Sequence, residues 1–403
     1  MITVKPALEA IKSNNKTGLA LAGGGPLGGF YELGALCALQ DSIETLDLTD
    51  LDVYVGVSVG SFLAAGLAND MDVQEMAEIF AFNSRAETPF NPDNFLRPAF
   101  REYIRNLAQT PGLVSRGLLK WAQNPLKTSI VDLLETAGRA LPTGIFNNDK
   151  LEAFLRQLFT RPGRTNDFRK LKKRLYMIAS ELNTGQIAAF SNDSNNDVPI
   201  SRAAQASSAL PGLYPPVEIN DRVFVDGALR RTMNASAALN EGIHLLFAVN
   251  PIVPYKASDS DETIQNLVDG GLPMVLSQTF RSIVQSRLKS GLDKYDAMYP
   301  QADIILVEPD SNDSTMFNTN LFSYSRRAEL CEYAFQLTRK HLRKNASQVN
   351  PVLERHGYTL SKSTLDNKKR SIKHFIDQKE QRSNSIRQMN RSLDRLERNL
   401  RNL

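Results

Sequence analysis

The stretch Val53-Tyr54-Val55-Gly56-Val57-Ser58-Val59-Gly60-Ser61-Phe62 decides the fold of this 403-residue chain. The apolar residues before Ser58 predict a buried strand, and the small and apolar residues after it predict a helix. A G-x-S-x-G sequence in this context is typical of a nucleophile elbow, a tight turn that exposes a serine hydroxyl. Glycine is required beside such a turn because neighbouring side chains have no room. The stretch therefore favours Ser58 as a nucleophile, flanked by Gly56 and Gly60.

A glycine-rich turn precedes this elbow by one strand. Residues 17–22 predict a short buried strand, which runs into Gly23-Gly24-Gly25-Pro26-Leu27-Gly28 and then into a predicted helix. Backbone N–H groups beside a helix N-terminus bind anions. The anion is either a dinucleotide pyrophosphate, because the turn satisfies G-x-G-x-x-G, or the oxyanion of an acyl intermediate.

A third alternative for this turn is close packing of helix on strand, with no ligand. The dinucleotide role requires an acidic residue at the end of the next strand. That strand ends in Ser58 instead. The oxyanion role is therefore favoured, with the candidate residues Gly23, Gly24, Gly25 and Gly28.

A third motif, Asp226-Gly227-Ala228, ends a predicted hairpin. Two short apolar runs, 217–219 and 223–225, flank Asn220-Asp221-Arg222, which is a typical hairpin signal. Aspartate is rarely buried for packing. Taken alone, Asp226 is a turn residue that bonds its own backbone, but beside a serine elbow it becomes a candidate general base.

In this order the three motifs resemble the patatin-like phospholipase family, as does Ser207-Ser208-Ala209-Leu210-Pro211-Gly212-Leu213-Tyr214-Pro215-Pro216. The resemblance covers residues 17–230 and implies a three-layer α/β/α fold with a central, mainly parallel sheet. It also implies acyl hydrolysis of lipids by a Ser–Asp dyad.

The resemblance assigns roles to the motif positions. Ser58 matches the nucleophile, Asp226 the general base with Gly227 and Ala228 completing its motif, and the loop glycines the oxyanion hole. One position departs from the family, because many members carry Arg or Lys where this chain has Leu27. Pro26 also departs, and it has no N–H to donate.

The histidines and cysteines support a dyad without a metal. Four histidines are scattered at 244, 341, 356 and 374, and none has metal-ligand spacing or stands out as a base. Cys37 and Cys331 form neither a disulfide framework nor a metal cluster. We therefore expect no metal and no cofactor. The function expected is a lipid acyl hydrolase of the phospholipase A or lysophospholipase type. The alternatives are acyl transfer on the same dyad and a catalytically silent protein that binds a membrane or a partner.

The sequence pattern divides the chain into four parts. We expect a leader at 1–16, a catalytic domain at 17–310, a helical extension at 311–366 and a basic amphipathic tail at 367–403. Residues 368–403 carry eleven Lys/Arg and four Asp/Glu, a net charge of +7, which leaves −3 for the rest of the chain.

Two segments of these parts leave alternatives open. A helical insertion within the catalytic domain, at about 84–146, contains Trp121 and fits either a cap over the core or a helix on a membrane surface. The tail has an apolar seam at 386, 389, 393, 396, 400 and 403. This seam fits pairing with another chain, docking on its own domain, or binding to anionic lipid.

The sequence also limits where the protein is expected to be located and what it is expected to bind. The N-terminus has no apolar run of signal-peptide length, and the longest charge-free run, 53–69, is too short to span a membrane. We expect a cytoplasmic protein with peripheral membrane contact and a lipid or phospholipid substrate at a membrane surface. Self-association through the tail is one of the three roles that its seam fits, and we expect no nucleic-acid partner.

Overall fold

A computed structural model describes residues 1–9, 15–83, 90–91, 143–256, 267–318, 324 and 326–378. The strands are β1 (Ile2–Lys5), β2 (Thr17–Leu21), β3 (Ile43–Glu44), β4 (Val53–Val57), β5 (Arg174–Glu181), β6 (Ile187–Ser191), β7 (Val217–Ile219), β8 (Arg222–Asp226), β9 (Leu245–Val249), β10 (Asp303–Val307) and β11 (Thr359–Leu360). Most of the predicted insertion, including Trp121, and the whole tail seam lie outside the described residues.

The helices follow the strands in alternation along much of the chain. They are α1 (Gly25–Ser42), α2 (Val59–Ala68), α3 (Val73–Ala77), α4 (Asp149–Phe159), α5 (Ile200–Ser207), α6 (Ser236–Leu239), α7 (Gly271–Met298), α8 (Ser314–Asn318), α9 (Arg327–Lys344), α10 (Ala346–Arg355) and α11 (Lys362–Asp366). Shorter turns of other helix types occur at Glu78–Phe82, Phe168–Lys170, Gly227–Leu229 and Leu267–Gly270. Among the described helices, none combines the length and the apolar character needed to cross a membrane.

The central sheet places the glycine loop beside the serine elbow. Its strand order is β1-β10-β9-β2-β4-β5-β8-β7, with β6 also paired to β5. The strands β10, β9, β2, β4 and β5 run parallel, and the outer strands are antiparallel. Leu21 pairs with Gly56, so both turns emerge at the carboxyl edge of the sheet, where ligands bind in open α/β folds.

Alternating side chains explain the helices on both faces. Leu19 and Leu21 of β2 join the core cluster that contains α1 and α9. Ala20 of β2 and Val55 of β4 join a second cluster with residues of α6 and α7. Because successive strand residues point to opposite faces, a strand buried on both sides needs a helical layer on each. This confirms the three-layer α/β/α fold with a mainly parallel centre.

The predicted hairpin that carries the Asp-Gly-Ala motif is also confirmed. The strands β7 and β8 pair antiparallel from Val217↔Phe224 to Ile219↔Arg222. Asn220 and Asp221, which connect them, have φ angles of 50° and 61°, as a two-residue hairpin turn requires.

The segment predicted as a leader belongs to the sheet instead. The strand β1 pairs antiparallel with β10, from Ile2↔Val307 to Lys5↔Ile304. Ile2 is buried in the core that contains α1. Residues 2–5 of the predicted leader are therefore part of the central sheet. The local sequence could not show this, because the partner strand lies some 300 residues away.

The basic tail likewise begins later than residue 367. Arg370 forms an ion pair with the buried Asp41 of α1. Ile372, Phe375 and Ile376 are buried in the main core, on a helical segment at 372–378. The residues up to 378 are therefore part of the folded domain.

Candidate active site

Ser58 lies at the junction of β4 and α2 in a strained conformation. Its φ and ψ are 54° and −127°, a region that residues other than glycine seldom occupy. A Cβ at Gly56 would collide with the backbone of Ser61, and one at Gly60 would lie 2.7 Å from the Ala22 carbonyl oxygen. The flanking glycines are thus required by space, as the elbow motif predicts.

A hydroxyl from another helix fixes the backbone of this elbow. The Ser207 Oγ, at the end of α5, accepts a hydrogen bond from the Ser58 N–H at 2.8 Å. The same Oγ donates to the Ile178 carbonyl of β5 at 2.6 Å. Sequence reasoning placed Ser207 in a family-like segment but gave it no role, because nothing local links α5 to the elbow.

Asp226, at the end of β8, lies against Ser58. Its carboxylate accepts the Ala228 N–H at 2.8 Å, and the Ser58 side chain is near enough to lower the pKa of this carboxyl. The residue is 2% exposed. One carboxylate oxygen thus stabilises the turn, as expected for an aspartate that bonds its own backbone. A turn aspartate needs neither this burial nor a position beside Ser58, so the two observations favour a further role.

Burial makes Asp226 a stronger base than an ordinary aspartate. Desolvation raises the pKa of its carboxyl from 3.8 to about 6, while the Ser58 side chain and the Ala228 N–H act in the opposite direction. Gly227 permits this burial, because a Cβ there would collide with the Ile178 carbonyl. A pKa near 6 leaves the carboxylate ionised at neutral pH and better able to accept a proton.

The glycine loop packs directly on the Ser58 and Asp226 turns. A Cβ at Gly23 would lie 2.9 Å from the Ala228 Cβ and 3.0 Å from the Ser58 Cβ. The residue Gly25 has a φ of 59°, and Gly24 caps the N-terminus of α1. The loop therefore presents the positive end of a helix to the serine.

Only part of this loop can donate hydrogen bonds. The Gly23 N–H already donates to the Thr232 carbonyl at 3.2 Å, and the Gly28 N–H donates to the Gly24 carbonyl at 3.0 Å. These two bonds mean that the N–H groups of Gly23 and Gly28 are already paired within the protein. Within the described ranges, the N–H groups of Gly24 and Gly25 have no protein acceptor.

Leu27 occupies the position where many family members carry a cation. Its side chain is buried in the main core. An apolar side chain that packs in the core therefore takes the place of the cation. Pro26 lines the cavity described below. Neither side chain supplies a charge, and Pro26 has no N–H to donate.

An apolar cavity of about 150 Å³ opens on Ser58 and Asp226. Aromatic and aliphatic side chains from several elements form its walls, among them Phe30, Phe62, Phe80, Leu210 and Phe280. None of its lining residues in the described ranges is Lys, Arg or His. Such a cavity suits an apolar chain better than a charged group.

The other ionisable clusters do not reach this cavity. His341 bonds to Asp310, and His356 bonds to Asp303, but neither histidine lines the cavity. In the described part of the chain, no group of three or more His, Cys, Asp or Glu side chains could hold a metal ion.

Comparison with solved structures finds several proteins that are similar at low sequence identity. VipD from Legionella pneumophila is 16% identical, with a TM-score of 0.36 and coverage of 82% of this chain and 67% of that one. The type III effector ExoU of Pseudomonas aeruginosa is 16% identical, with a TM-score of 0.37 and coverage of 85% and 54%. Human GIVD cytosolic phospholipase A2 is 13% identical, with a TM-score of 0.38 and coverage of 85% and 60%. The chain thus spans between 54% and 67% of the length of these three proteins.

A search of curated proteins finds no match to this chain. The model of the family described as patatin-like phospholipase matches residues 19–239, a range that contains the glycine loop, the elbow and the Asp-Gly-Ala turn. This match covers more than half of the chain and confirms the resemblance seen in the motifs. The chain belongs to the patatin-like phospholipase family.

Proposed function

We propose that this protein hydrolyses carboxylic esters of lipids, with Ser58 as the nucleophile and Asp226 as the general base. Membership of the family supports lipid hydrolase activity in general. The observation that carries the specific proposal is that Ser58, on its strained elbow, and the buried Asp226, whose pKa is raised to about 6, line the same apolar cavity. The apolar cavity beside both residues favours an acyl chain as the bound group.

The geometry supports a two-step reaction. Asp226 removes the Ser58 hydroxyl proton as Oγ attacks the ester carbonyl, and the tetrahedral intermediate then expels the alcohol, which takes the proton from Asp226. Water, deprotonated in turn by Asp226, attacks the acyl-enzyme, and the departing Ser58 Oγ takes that proton from Asp226 as the fatty acid is released. Asp226 serves as the base in both steps because no histidine lines the cavity among the described residues.

The negative oxygen of each intermediate needs hydrogen-bond donors. The N–H groups of Gly24 and Gly25 are assigned this role, because those of Gly23 and Gly28 are already bonded within the protein. The N-terminus of α1 adds favourable electrostatic potential at the same place. Loss of one such donor costs about 3–4 kcal/mol of transition-state stabilisation in studied hydrolases.

A lipid panel tests the proposal. Wild type and Ser58→Ala are incubated with phospholipids, lysophospholipids and neutral glycerides, and the products are identified by mass. We expect wild type to release free fatty acid and Ser58→Ala to release none above background. Acyl groups recovered only on an added alcohol acceptor would indicate acyl transfer instead of hydrolysis. Equal release by both proteins would exclude Ser58 as the nucleophile.

A further inference from the structure

The first half of α7 exposes apolar side chains to solvent. Leu272, Leu276 and Ile283 are 69%, 58% and 48% exposed. At 100° per residue these three lie within about 40° of one another on the helix surface. The one charged residue between 271 and 286 is Arg281, which is buried. An exposed helix face of three turns without a charge marks an interaction surface in soluble proteins.

This face lies on the helix that supports the candidate active site. Phe280 of α7 lines the cavity together with Ser58. The carbonyl of Val284 accepts a hydrogen bond from the Thr232 hydroxyl at 3.4 Å, and the Thr232 carbonyl in turn accepts the Gly23 N–H. At 100° per residue Phe280 lies about 40° around the helix from Leu276, so the exposed face lies next to the cavity wall.

Cationic side chains border the apolar face on one side. Arg287 lies one turn beyond Ile283 on the same side of α7, is exposed, and donates to the Leu229 carbonyl. Arg230, next to Leu229, is exposed as well. Neither arginine forms an ion pair in the part of the chain that the structure describes. An apolar helix face bordered by unpaired arginines complements the acyl and phosphate layers of an anionic lipid surface.

We infer that Leu272, Leu276 and Ile283 form a docking face, bordered by Arg230 and Arg287, that seats the protein on an anionic lipid surface next to the cavity. The inference rests on the proposed lipid hydrolysis, since a lipid ester must pass from a membrane or micelle into the cavity. It assigns membrane contact to the folded domain, whereas the sequence pattern pointed to the tail and the Trp121 segment.

Vesicle binding tests this inference without relying on catalysis. All proteins carry Ser58→Ala, so the vesicles stay intact, and their melting temperatures are compared first. Binding to vesicles of phosphatidylcholine with phosphatidylserine is measured by flotation. We expect Leu276→Ser with Ile283→Ser to weaken binding by about tenfold or more, and Arg287→Gln to weaken it on anionic vesicles only. The matched control is Met298→Ser, because Met298 is 58% exposed at the far end of the same helix, and it should bind as the parent does.

Two outcomes would overturn the docking face. Unchanged binding by the double variant, in protein that melts normally, would place membrane contact elsewhere. A dimer that the double variant converts to monomer in sedimentation velocity would make this face a contact between two copies. Neither outcome depends on the dyad, because loss of the proposed function would show as equal lipid hydrolysis by wild type and Ser58→Ala.

Discussion

The Ser207 hydroxyl holds the backbone of Ser58 in place. It accepts the Ser58 N–H at 2.8 Å and donates to the Ile178 carbonyl at 2.6 Å, so that one side chain joins α5, the elbow and β5. Ser58 has a positive φ of 54°, which persists only where surrounding contacts enforce it. Ser207 is fully buried, so both of its hydrogen bonds lie away from solvent.

Substitution Ser207→Ala should therefore affect both stability and rate. It leaves a buried N–H and a buried carbonyl without this partner, which lowers the free energy of unfolding by about 1–3 kcal/mol. A small displacement of the Ser58 Oγ lowers kcat by roughly 10- to 100-fold. Urea unfolding and ester hydrolysis measure the two effects. The control Ser290→Ala removes an exposed hydroxyl bonded to its own helix and should change neither, and equal behaviour of the two variants would refute the role of Ser207.

The raised pKa of Asp226 predicts the pH dependence of activity. Since burial raises this pKa to about 6, the base is protonated below that pH and ionised above it. We expect kcat/KM on a soluble ester to rise with pH through about 6 and then to level. Asp226→Asn should remove nearly all of this activity at every pH. A profile that is flat between pH 5 and 7 would contradict the assignment of the base.

The same pKa predicts that Asp226 destabilises the fold at neutral pH. Between pH 3.8 and about 6 the folded carboxyl holds its proton more tightly than the unfolded one, so stability falls as pH rises through this window. The loss amounts to about 3 kcal/mol above pH 6. Asp226→Asn should therefore unfold at higher urea than wild type at pH 8 and lose this advantage at pH 4. A variant less stable than wild type at pH 8 would show that the carboxylate is compensated by other contacts.

Gly23 provides a test of loop packing. A Cβ at this position would press on the Cβ atoms of Ser58 and Ala228, at 3.0 and 2.9 Å. Gly23→Ala should lower kcat by roughly 100-fold and stability by about 1–3 kcal/mol. The matched control is Gly291→Ala, where the nearest atom would be 3.7 Å away in a helix. Gly291→Ala should leave kcat unchanged, and its free energy of unfolding should equal or slightly exceed that of wild type. Normal turnover by Gly23→Ala would mean that the loop can move away from the dyad.

The folded domain extends past the predicted start of the tail. Phe375 is buried and stacks on Phe335 of α9 with ring centroids 6.3 Å apart. Phe375→Ala should lower the free energy of unfolding by about 3–5 kcal/mol. Lys373→Ala, exposed on the same helical segment, should stay within about 0.5 kcal/mol of wild type. If both variants unfold alike, this segment contributes nothing to the domain.

The sequence predicted those parts of the site that depend on local pattern. The elbow at Ser58, the hairpin before Asp226 and the strand–helix alternation follow from spacing and turn chemistry within a few residues. The hydrogen bonding of the glycine loop could not be predicted in this way. Whether a loop N–H is free depends on Thr232, which lies some 200 residues further along the chain. Ser207 and the strand β1 were missed for the same reason, since both act through partners remote in sequence.

The most direct test of the Ser58–Asp226 dyad is the site and rate of labelling by a fluorophosphonate, read by mass spectrometry of the digested protein. A fluorophosphonate reacts with an activated serine hydroxyl, so it reports the nucleophile without a choice of lipid. We predict a single adduct on Ser58, absent in Ser58→Ala and formed at least roughly 100-fold more slowly in folded Asp226→Asn. An adduct on another serine, or equal labelling rates for wild type and Asp226→Asn, would contradict the dyad.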